Sequence, residues 1–187
     1  MRRICVFCGA HAGARPAYAE AARELGTLLA ARGLGLVTGG GRVGLMGIVA
    51  DAALAAGGEA IGVIPRALVA KELAHPGLSE LVVVETMHAR KAAMHALADA
   101  FVTLPGGIGS LEEALEALAW LQLDLHRKPA GIVNVEGYYD PLLAQLDRAV
   151  AEGFVLGPQR ETIVVGPTPA AVLDRFAAWR PPATSLW

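Results

Sequence analysis

The chain is poor in cysteine and in aromatic residues and contains no long apolar run, although it has 187 residues and is 54% hydrophobic. Its two cysteines cannot supply a zinc site of four cysteine ligands. No segment approaches the roughly 20 consecutive apolar residues of a membrane span. The formal net charge is −2 and the basic residues are scattered, which excludes the basic stripe typical of nucleic-acid-binding proteins. We therefore expect a cytoplasmic globular protein with neither nucleic acid nor membrane as a partner.

Cys5 and Cys8 match a C-x-x-C redox motif in spacing but not in position. A redox pair lies at a helix start, where the thiolate is stabilised. Here both cysteines fall in or at the end of a predicted strand, and an offset of three residues turns them to opposite faces. We interpret them as small buried residues. The five histidines show no H-E-x-x-H spacing, so we expect no metal and no other cofactor.

Short apolar segments alternate with alanine- and leucine-rich segments of helical length along the chain. Such strands between helices are typical of parallel strands that are buried on both faces. Right-handed crossovers then predict a doubly wound, Rossmann-like α/β sheet in three layers, α/β/α. We expect one nucleotide-binding domain over residues 1–180 and a flexible tail over residues 181–187.

A first glycine-rich loop, GGGRVG at residues 39–44, follows a predicted strand. It fits G-x-G-x-x-G, but no acidic residue ends the next strand, as an NAD site requires. The glycines could serve a tight strand-to-helix turn. Because three in succession exceed what a turn needs, we interpret Gly39, Gly40 and Gly41 as a close backbone approach to a ligand.

The second loop lies in PGGIGSLEE at residues 105–113 and is the stronger candidate. Its glycines free the backbone to aim N–H groups at an anion, and the following helix start favours phosphate. The hydroxyl of Ser110 adds a donor. The competing interpretation makes Ser110 the N-cap of the helix and Glu113 its partner in a capping box. The loop residues predicted to bind phosphate are Gly106, Gly107, Ile108, Gly109 and Ser110.

The glutamates after this loop pose a question, because Glu112 and Glu113 repel the anion that the loop attracts. On a helical wheel the two flank the predicted buried side about equally, so the pattern does not choose between them. That buried side is marked by Leu111, Leu115, Leu118 and Leu125.

Two cations, Arg90 and Lys91, open another predicted helix, where they oppose the helix dipole. A local conflict of this kind often marks function. The alternative is a pair of surface side chains whose apolar stems cover the helix. We favour the functional interpretation, because the two cations are expected at the carboxyl end of a strand and near both glycine loops.

The segment PGGIGSLEE resembles the P-G-G-x-G-T-x-x-E motif of the Lonely Guy family, with Ser110 in place of the usual threonine. The segments TGGGRVGLMG, MHARKAAM, HRKP and NVEGYYDPLL are similar to further parts of that family, so the resemblance runs from Cys5 to about Phe154. These proteins are cytokinin-activating nucleoside 5′-monophosphate phosphoribohydrolases, long labelled lysine decarboxylases. The resemblance implies a Rossmann-like fold and cleavage of the N-glycosidic bond of AMP or an N6-modified AMP, which releases the base and ribose 5-phosphate.

Carried over by position, the resemblance implies that Glu113 and Arg90 are the catalytic residues. Lys91 and Met94 follow in the same segment and are expected to bind substrate or phosphate, together with both glycine loops. The resemblance also implies a homodimer. Met87, Met94 and Leu97, beside an apolar helix over residues 115–125, offer more apolar surface than one face can bury.

Three other functions compete with this interpretation. The first is a non-catalytic nucleotide or molybdenum-cofactor carrier of the same fold, which the presence of both Arg90 and Glu113 argues against. The second is a true lysine decarboxylase, whose Schiff base with pyridoxal phosphate would need Lys71, Lys91 or Lys128. The third is an NADP-dependent oxidoreductase, for which the glycine loop lacks the fingerprint context.

Overall fold

The computed structural model describes residues 1–69 and 73–181, which form seven strands and eight α-helices. The predicted flexible tail lies outside the described residues, except for Pro181. The strands are β1 (Arg3–Phe7), β2 (Gly35–Thr38), β3 (Ala60–Pro65), β4 (Glu80–Val84), β5 (Ala100–Thr103), β6 (Ala130–Val133) and β7 (Ile163–Gly166). The helices are α1 (Pro16–Ala31), α2 (Gly44–Ala55), α3 (Arg66–Val69), α4 (Met87–Leu97), α5 (Ile108–Gln122), α6 (Asp140–Ala151), α7 (Gly157–Glu161) and α8 (Pro169–Ala178).

All seven strands join one parallel sheet in the order β4-β3-β2-β1-β5-β6-β7. The chain builds outward from β1 to β4 and then returns to the other side of β1 with β5. This reversal opens a crevice at the carboxyl ends of β1 and β5, which is where doubly wound sheets bind ligands. The predicted fold class is confirmed, and the single sheet supports the proposal of one domain over residues 1–180.

Two apolar clusters, one on each face of the sheet, give the three layers. One cluster joins β-strand residues to α1, α2 and α8, and the other joins them to α4, α5 and α6. Cys8 belongs to the first cluster and Cys5 to the second, which confirms that the two face opposite sides. Burial raises the pKa of both thiols. They therefore stay protonated and are ordinary core residues.

The buried side of α5 agrees with the predicted one in part. Leu111 and Leu118 pack toward the sheet as predicted, whereas Leu115 is 42% exposed and Leu125, which is 65% exposed, lies beyond the end of α5 at Gln122. The prediction was wrong for these two residues because the segment is apolar on most sides, so periodicity does not single out one face. α3 and α7, of four and five residues, were not predicted because they are too short for a periodic pattern. Within residues 1–69 and 73–181, none of the helices is both long and apolar enough for a membrane crossing.

Candidate active site

A cavity of about 540 Å³ lies at the crevice between β1 and β5. Residues 8–13, which follow β1, line one part of it, and residues at or after the carboxyl ends of β2, β3, β4, β5 and β6 line most of the rest. Its volume falls within the roughly 300–1,000 Å³ of small-molecule sites. The two predicted glycine loops are brought together here because the carboxyl ends of parallel strands meet at one edge of the sheet.

Arg90 of α4 and Glu113 of α5 form a buried ion pair that lines this cavity. Arg90 Nη1 lies 3.4 Å from Glu113 Oε1, and each side chain is only 10% exposed. Arg90 Nε also donates to the carbonyl oxygen of Val63 in β3 at 3.1 Å. Buried charges require such partners, because removing one partner leaves the other charge uncompensated. Arg90 therefore connects α4 to α5 through Glu113 and to β3 through Val63, all at the wall of the cavity.

Burial raises the pKa of the Glu113 carboxyl above its usual value, although the charge of Arg90 acts in the opposite direction. As the pH falls, Glu113 therefore takes up its proton earlier than a free glutamate does. A carboxyl group in a cavity with a raised pKa is suited to accept or hold a proton near a ligand.

The structure separates the two glutamates that the helical wheel left equivalent. The Glu112 side chain is 52% exposed and pairs with Lys91, which also contacts Glu116 Oε1 at 3.1 Å. The hydrogen bond that Lys91 donates to Glu112 raises the pKa of Lys91. Lys91 thus links α4 to α5 away from the cavity, and of the two glutamates only Glu113 lines the cavity.

Gly39 is required by the path of the Arg90 side chain. A Cβ atom added at Gly39 would lie 1.6 Å from Arg90 Nη2. At the second loop, a Cβ atom added at Gly106 would lie 2.2 Å from Ser110 Oγ. Both glycines therefore make room for polar side chains that line the cavity.

The start of α5 excludes one of the two interpretations of Ser110. Gly107 is the N-cap and the helix begins at Ile108. Ser110 therefore lies inside the first turn, so the capping box with Glu113 is excluded. Gly107, Gly109 and Ser110 line the cavity, and the first N–H groups of a helix have no intrahelical partner.

Most, but not all, of the predicted site residues line the cavity. Those that do are Gly39, Gly41, Arg90, Gly106, Gly107, Gly109, Ser110 and Glu113. Gly40, Lys91, Met94 and Ile108 are not among the described lining residues. The Gly40 amide donates to Thr38 Oγ1 at 3.1 Å, Met94 is buried in the core and the side chain of Ile108 is exposed. The ligand roles of all twelve residues remain predictions.

Sequence reasoning assigned no role to several lining residues. They include Tyr18, Val43, Leu68, Leu73 and Tyr138. Tyr138 belongs to NVEGYYDPLL, a segment that carried the family resemblance but no predicted function. Its position directly after β6, at the same sheet edge as the glycine loops, was the available signal.

The lysines that a Schiff base would need are not found in the described lining. Lys91 binds glutamates as above, and Lys128 Nζ donates to the carbonyl oxygen of His95 at 2.6 Å. Lys71 lies outside the described residues.

Known proteins match the chain over nearly its whole length. A family model described as "Possible lysine decarboxylase" matches residues 46–176. The chain is 48% identical over 180 residues to a probable cytokinin riboside 5′-monophosphate phosphoribohydrolase of Oryza sativa subsp. japonica, covering 96% of this chain and 74% of the relative. It is 46% identical over 180 residues to a cytokinin riboside 5′-monophosphate phosphoribohydrolase of Arabidopsis thaliana, covering 96% of this chain and 79% of the relative.

The fold is also found in a solved structure of lower sequence identity. The molybdenum cofactor binding protein from the phototrophic bacterium Rippkaea orientalis superposes with a TM-score of 0.73 at 24% identity, covering 95% of this chain and 96% of that protein. At this identity the likeness shows a shared fold alone.

The steric role of Gly39 predicts a stability difference between two glycines of the site. Gly39→Ala is expected to lower the free energy of unfolding by roughly 3–5 kcal/mol, because the added methyl group displaces Arg90 and leaves Glu113 buried without its partner. Gly109→Ala is the matched control, since a Cβ atom there meets nothing within 4 Å and alanine favours helix. Urea unfolding of both variants measures the difference. Equal unfolding midpoints for Gly39→Ala and the parent protein would contradict it.

Proposed function

The chain belongs to the Lonely Guy family of cytokinin riboside 5′-monophosphate phosphoribohydrolases, and from this premise we propose that it hydrolyses the N-glycosidic bond of AMP or of an N6-modified AMP. The products are the free base and ribose 5-phosphate. The observation that carries the proposal is the buried pair of Arg90 and Glu113 in the same cavity as the N-terminus of α5. One cavity then offers a carboxylate for a cationic transition state and N–H groups for an anionic phosphate.

The 5′-phosphate binds at the N-terminus of α5 in this proposal. Gly107, Gly109 and Ser110 line the cavity there, and the helix dipole adds a favourable potential for an anion. The Ser110 hydroxyl is a further donor. Binding energy from the phosphate, which does not react, holds the ribose in place for the chemical step.

Glu113 acts at the anomeric carbon of the ribose. As the C1′–N bond breaks, its electron pair leaves with the base and positive charge develops on the sugar, which a nearby carboxylate stabilises. A water oxygen then bonds to C1′, and the carboxylate of Glu113 accepts the proton that the water loses. The leaving base takes a proton from solvent, which completes the hydrolysis.

The base lies toward the apolar side of the cavity. Ile64 near the end of β3, with Leu68 and Leu73 after it, lines this part, whereas the proposed phosphate loop follows β5. β2 and β1 lie between β3 and β5 in the sheet. The apolar part of the cavity and the proposed phosphate loop are therefore roughly 14 Å apart at the usual strand spacing. A nucleotide lying across the crevice places its sugar between them. Both adenine and an adenine with an apolar N6 group suit this lining.

The competing functions have less support. The molybdenum cofactor binding protein shares only the fold with this chain, at 24% identity. A pyridoxal-phosphate decarboxylase needs a lysine at the cofactor, and neither Lys91 nor Lys128 is among the described lining residues. We further propose a cytoplasmic location, in keeping with a soluble small-molecule substrate.

The phosphate loop predicts discrimination between nucleotides and nucleosides. AMP or N6-isopentenyl AMP is expected to release its base, whereas adenosine is expected to react at least about 100-fold more slowly, because it has no group to bind Gly107, Gly109 and Ser110. Chromatography of the released base measures all three substrates. Equal rates on AMP and adenosine would overturn the proposal.

The two adjacent glutamates predict opposite mutational outcomes. Glu113→Gln keeps the size and an oxygen for Arg90 but removes the charge at the sugar, so turnover is expected to fall about 10²–10⁴-fold. Its affinity for ribose 5-phosphate is expected to be retained or increased, since a nearby negative charge is removed. Base release and calorimetric binding measure the two quantities.

Glu112→Gln is the matched control for this variant. Its partner Lys91 keeps Glu116 as a second carboxylate, and the Glu112 side chain is 52% exposed, so loss of its charge leaves no buried charge unpaired. Turnover is expected to stay within several-fold of the parent. Normal turnover in Glu113→Gln, or an equal collapse in Glu112→Gln, would refute the assignment.

A homodimer is the proposed assembly. Met87, Leu115 and Leu125 are 47%, 42% and 65% exposed, and a partner subunit would bury such apolar side chains. Met94 does not contribute to this surface as the sequence argument supposed, because it is buried in its own subunit. Light scattering at micromolar protein is expected to give twice the chain mass, and a monomeric mass would contradict the proposal.

A further inference from the structure

Three successive carbonyl groups after β5 are each held by a donor from another part of the chain. The carbonyl oxygen of Leu104 accepts from Tyr139 Oη at 2.8 Å, and that of Pro105 accepts from the Gly9 amide at 3.0 Å. The carbonyl oxygen of Gly106 accepts from Tyr138 Oη at 2.6 Å. Residues outside the proposed phosphate loop therefore fix the orientation of its peptide planes.

The last of these bonds sets the orientation of a peptide group at the cavity. In a planar trans peptide the C=O and the following N–H point in opposite directions. Drawing the Gly106 carbonyl toward Tyr138 therefore turns the Gly107 N–H the other way. Gly107 is the N-cap of α5 and lines the cavity. Its N–H has no partner within the helix and is available to an anion.

An unusual turn places Tyr138 and Tyr139 beside this loop. Glu136 and Gly137 have φ angles of 48° and 73°, a left-handed pair that a non-glycine residue rarely adopts. Asn134 supports the turn, because its Oδ1 accepts from the Tyr139 amide at 2.7 Å. Glu136 Oε2 is paired with Arg15 Nη1 at 2.9 Å. Strained backbone that is held by several contacts is typical of functional sites.

Tyr138 and Tyr139 differ in exposure, which makes Tyr138 the residue to examine. Tyr139 is buried in the core, whereas Tyr138 is 40% exposed and lines the cavity. The Tyr138 ring packs edge-on against Tyr18, with centroids 5.5 Å apart. A phenol has one O–H donor, and that of Tyr138 is engaged by Gly106. Tyr138 therefore acts on a ligand through the loop rather than by donating to it.

We propose that Tyr138 is a positioning residue for phosphate recognition, which orients the Gly107 N–H through the carbonyl of Gly106. The inference rests on the proposed function, in which this loop binds the 5′-phosphate. Because the phosphate is bound alike in the ground state and the transition state, loss of the hydroxyl raises KM and leaves kcat nearly unchanged.

Two substitutions at this position separate the hydroxyl from the ring. Tyr138→Phe removes the hydroxyl and keeps the packing against Tyr18, whereas Tyr138→Leu removes both. Both variants are expected to weaken ribose 5-phosphate binding about 5–10-fold, as is typical for one lost hydrogen bond. In Tyr138→Phe, KM for AMP is expected to rise by the same factor, with kcat within about twofold and an unchanged melting temperature. Calorimetry with ribose 5-phosphate, steady-state kinetics and thermal unfolding provide the readouts.

The possible results distinguish this inference from the proposed function. If the parent protein neither binds ribose 5-phosphate nor cleaves AMP, the proposed function fails and this inference fails with it. If the parent protein does both and Tyr138→Phe binds ribose 5-phosphate equally well, only the role of Tyr138 is overturned. Weaker binding in Tyr138→Leu alone assigns the effect to ring packing and also overturns it. If Tyr138→Phe lowers the melting temperature and changes kcat and KM together, the role of Tyr138 is structural, and its positioning role is likewise overturned.

Discussion

The burial of two opposite charges, Arg90 and Glu113, is the constraint on which the rest of the site depends. Neither charge is stable out of water alone, so the guanidinium takes both the carboxylate and the Val63 carbonyl as partners. Its path beside the backbone that follows β2 requires Gly39. The cost of burial also raises the pKa of Glu113. One desolvated pair thus accounts for a glycine at position 39 and for the raised pKa of the carboxyl group in the cavity.

Ion pairs explain how a loop that attracts anions can be followed by a helix that begins with acidic residues. Glu112 and Glu116 are engaged by Lys91 away from the cavity, so their charges do not oppose a bound phosphate directly. The remaining acid, Glu113, is partly neutralised by Arg90. A nucleoside monophosphate is negative at its phosphate and becomes positive at its sugar as the base leaves. A cavity with N–H donors and one carboxylate matches both charges.

Fold alone does not identify this function. A solved protein with a different printed role, binding of molybdenum cofactor, shares the doubly wound sheet at 24% identity. The sheet explains why a ligand site lies beyond β1 and β5 but not what the site binds. That distinction depends on side chains at the strand ends. In this chain they include the carboxylate of Glu113, the guanidinium of Arg90 and the Tyr138 hydroxyl that donates to the Gly106 carbonyl.

The sequence by itself determined the parallel sheet, the alternation of helices and strands, and the meeting of both glycine loops at one edge. These features follow from local periodicity and from glycine, which neighbouring residues encode. Tertiary structure alone decided that Glu113 faces the cavity while Glu112 faces Lys91, and that Leu115 lies on the surface. It also brought Tyr138 to Gly106 across 32 residues. Such contacts depend on the distance and rotation between packed elements, which the periodicity of any one helix or strand does not contain.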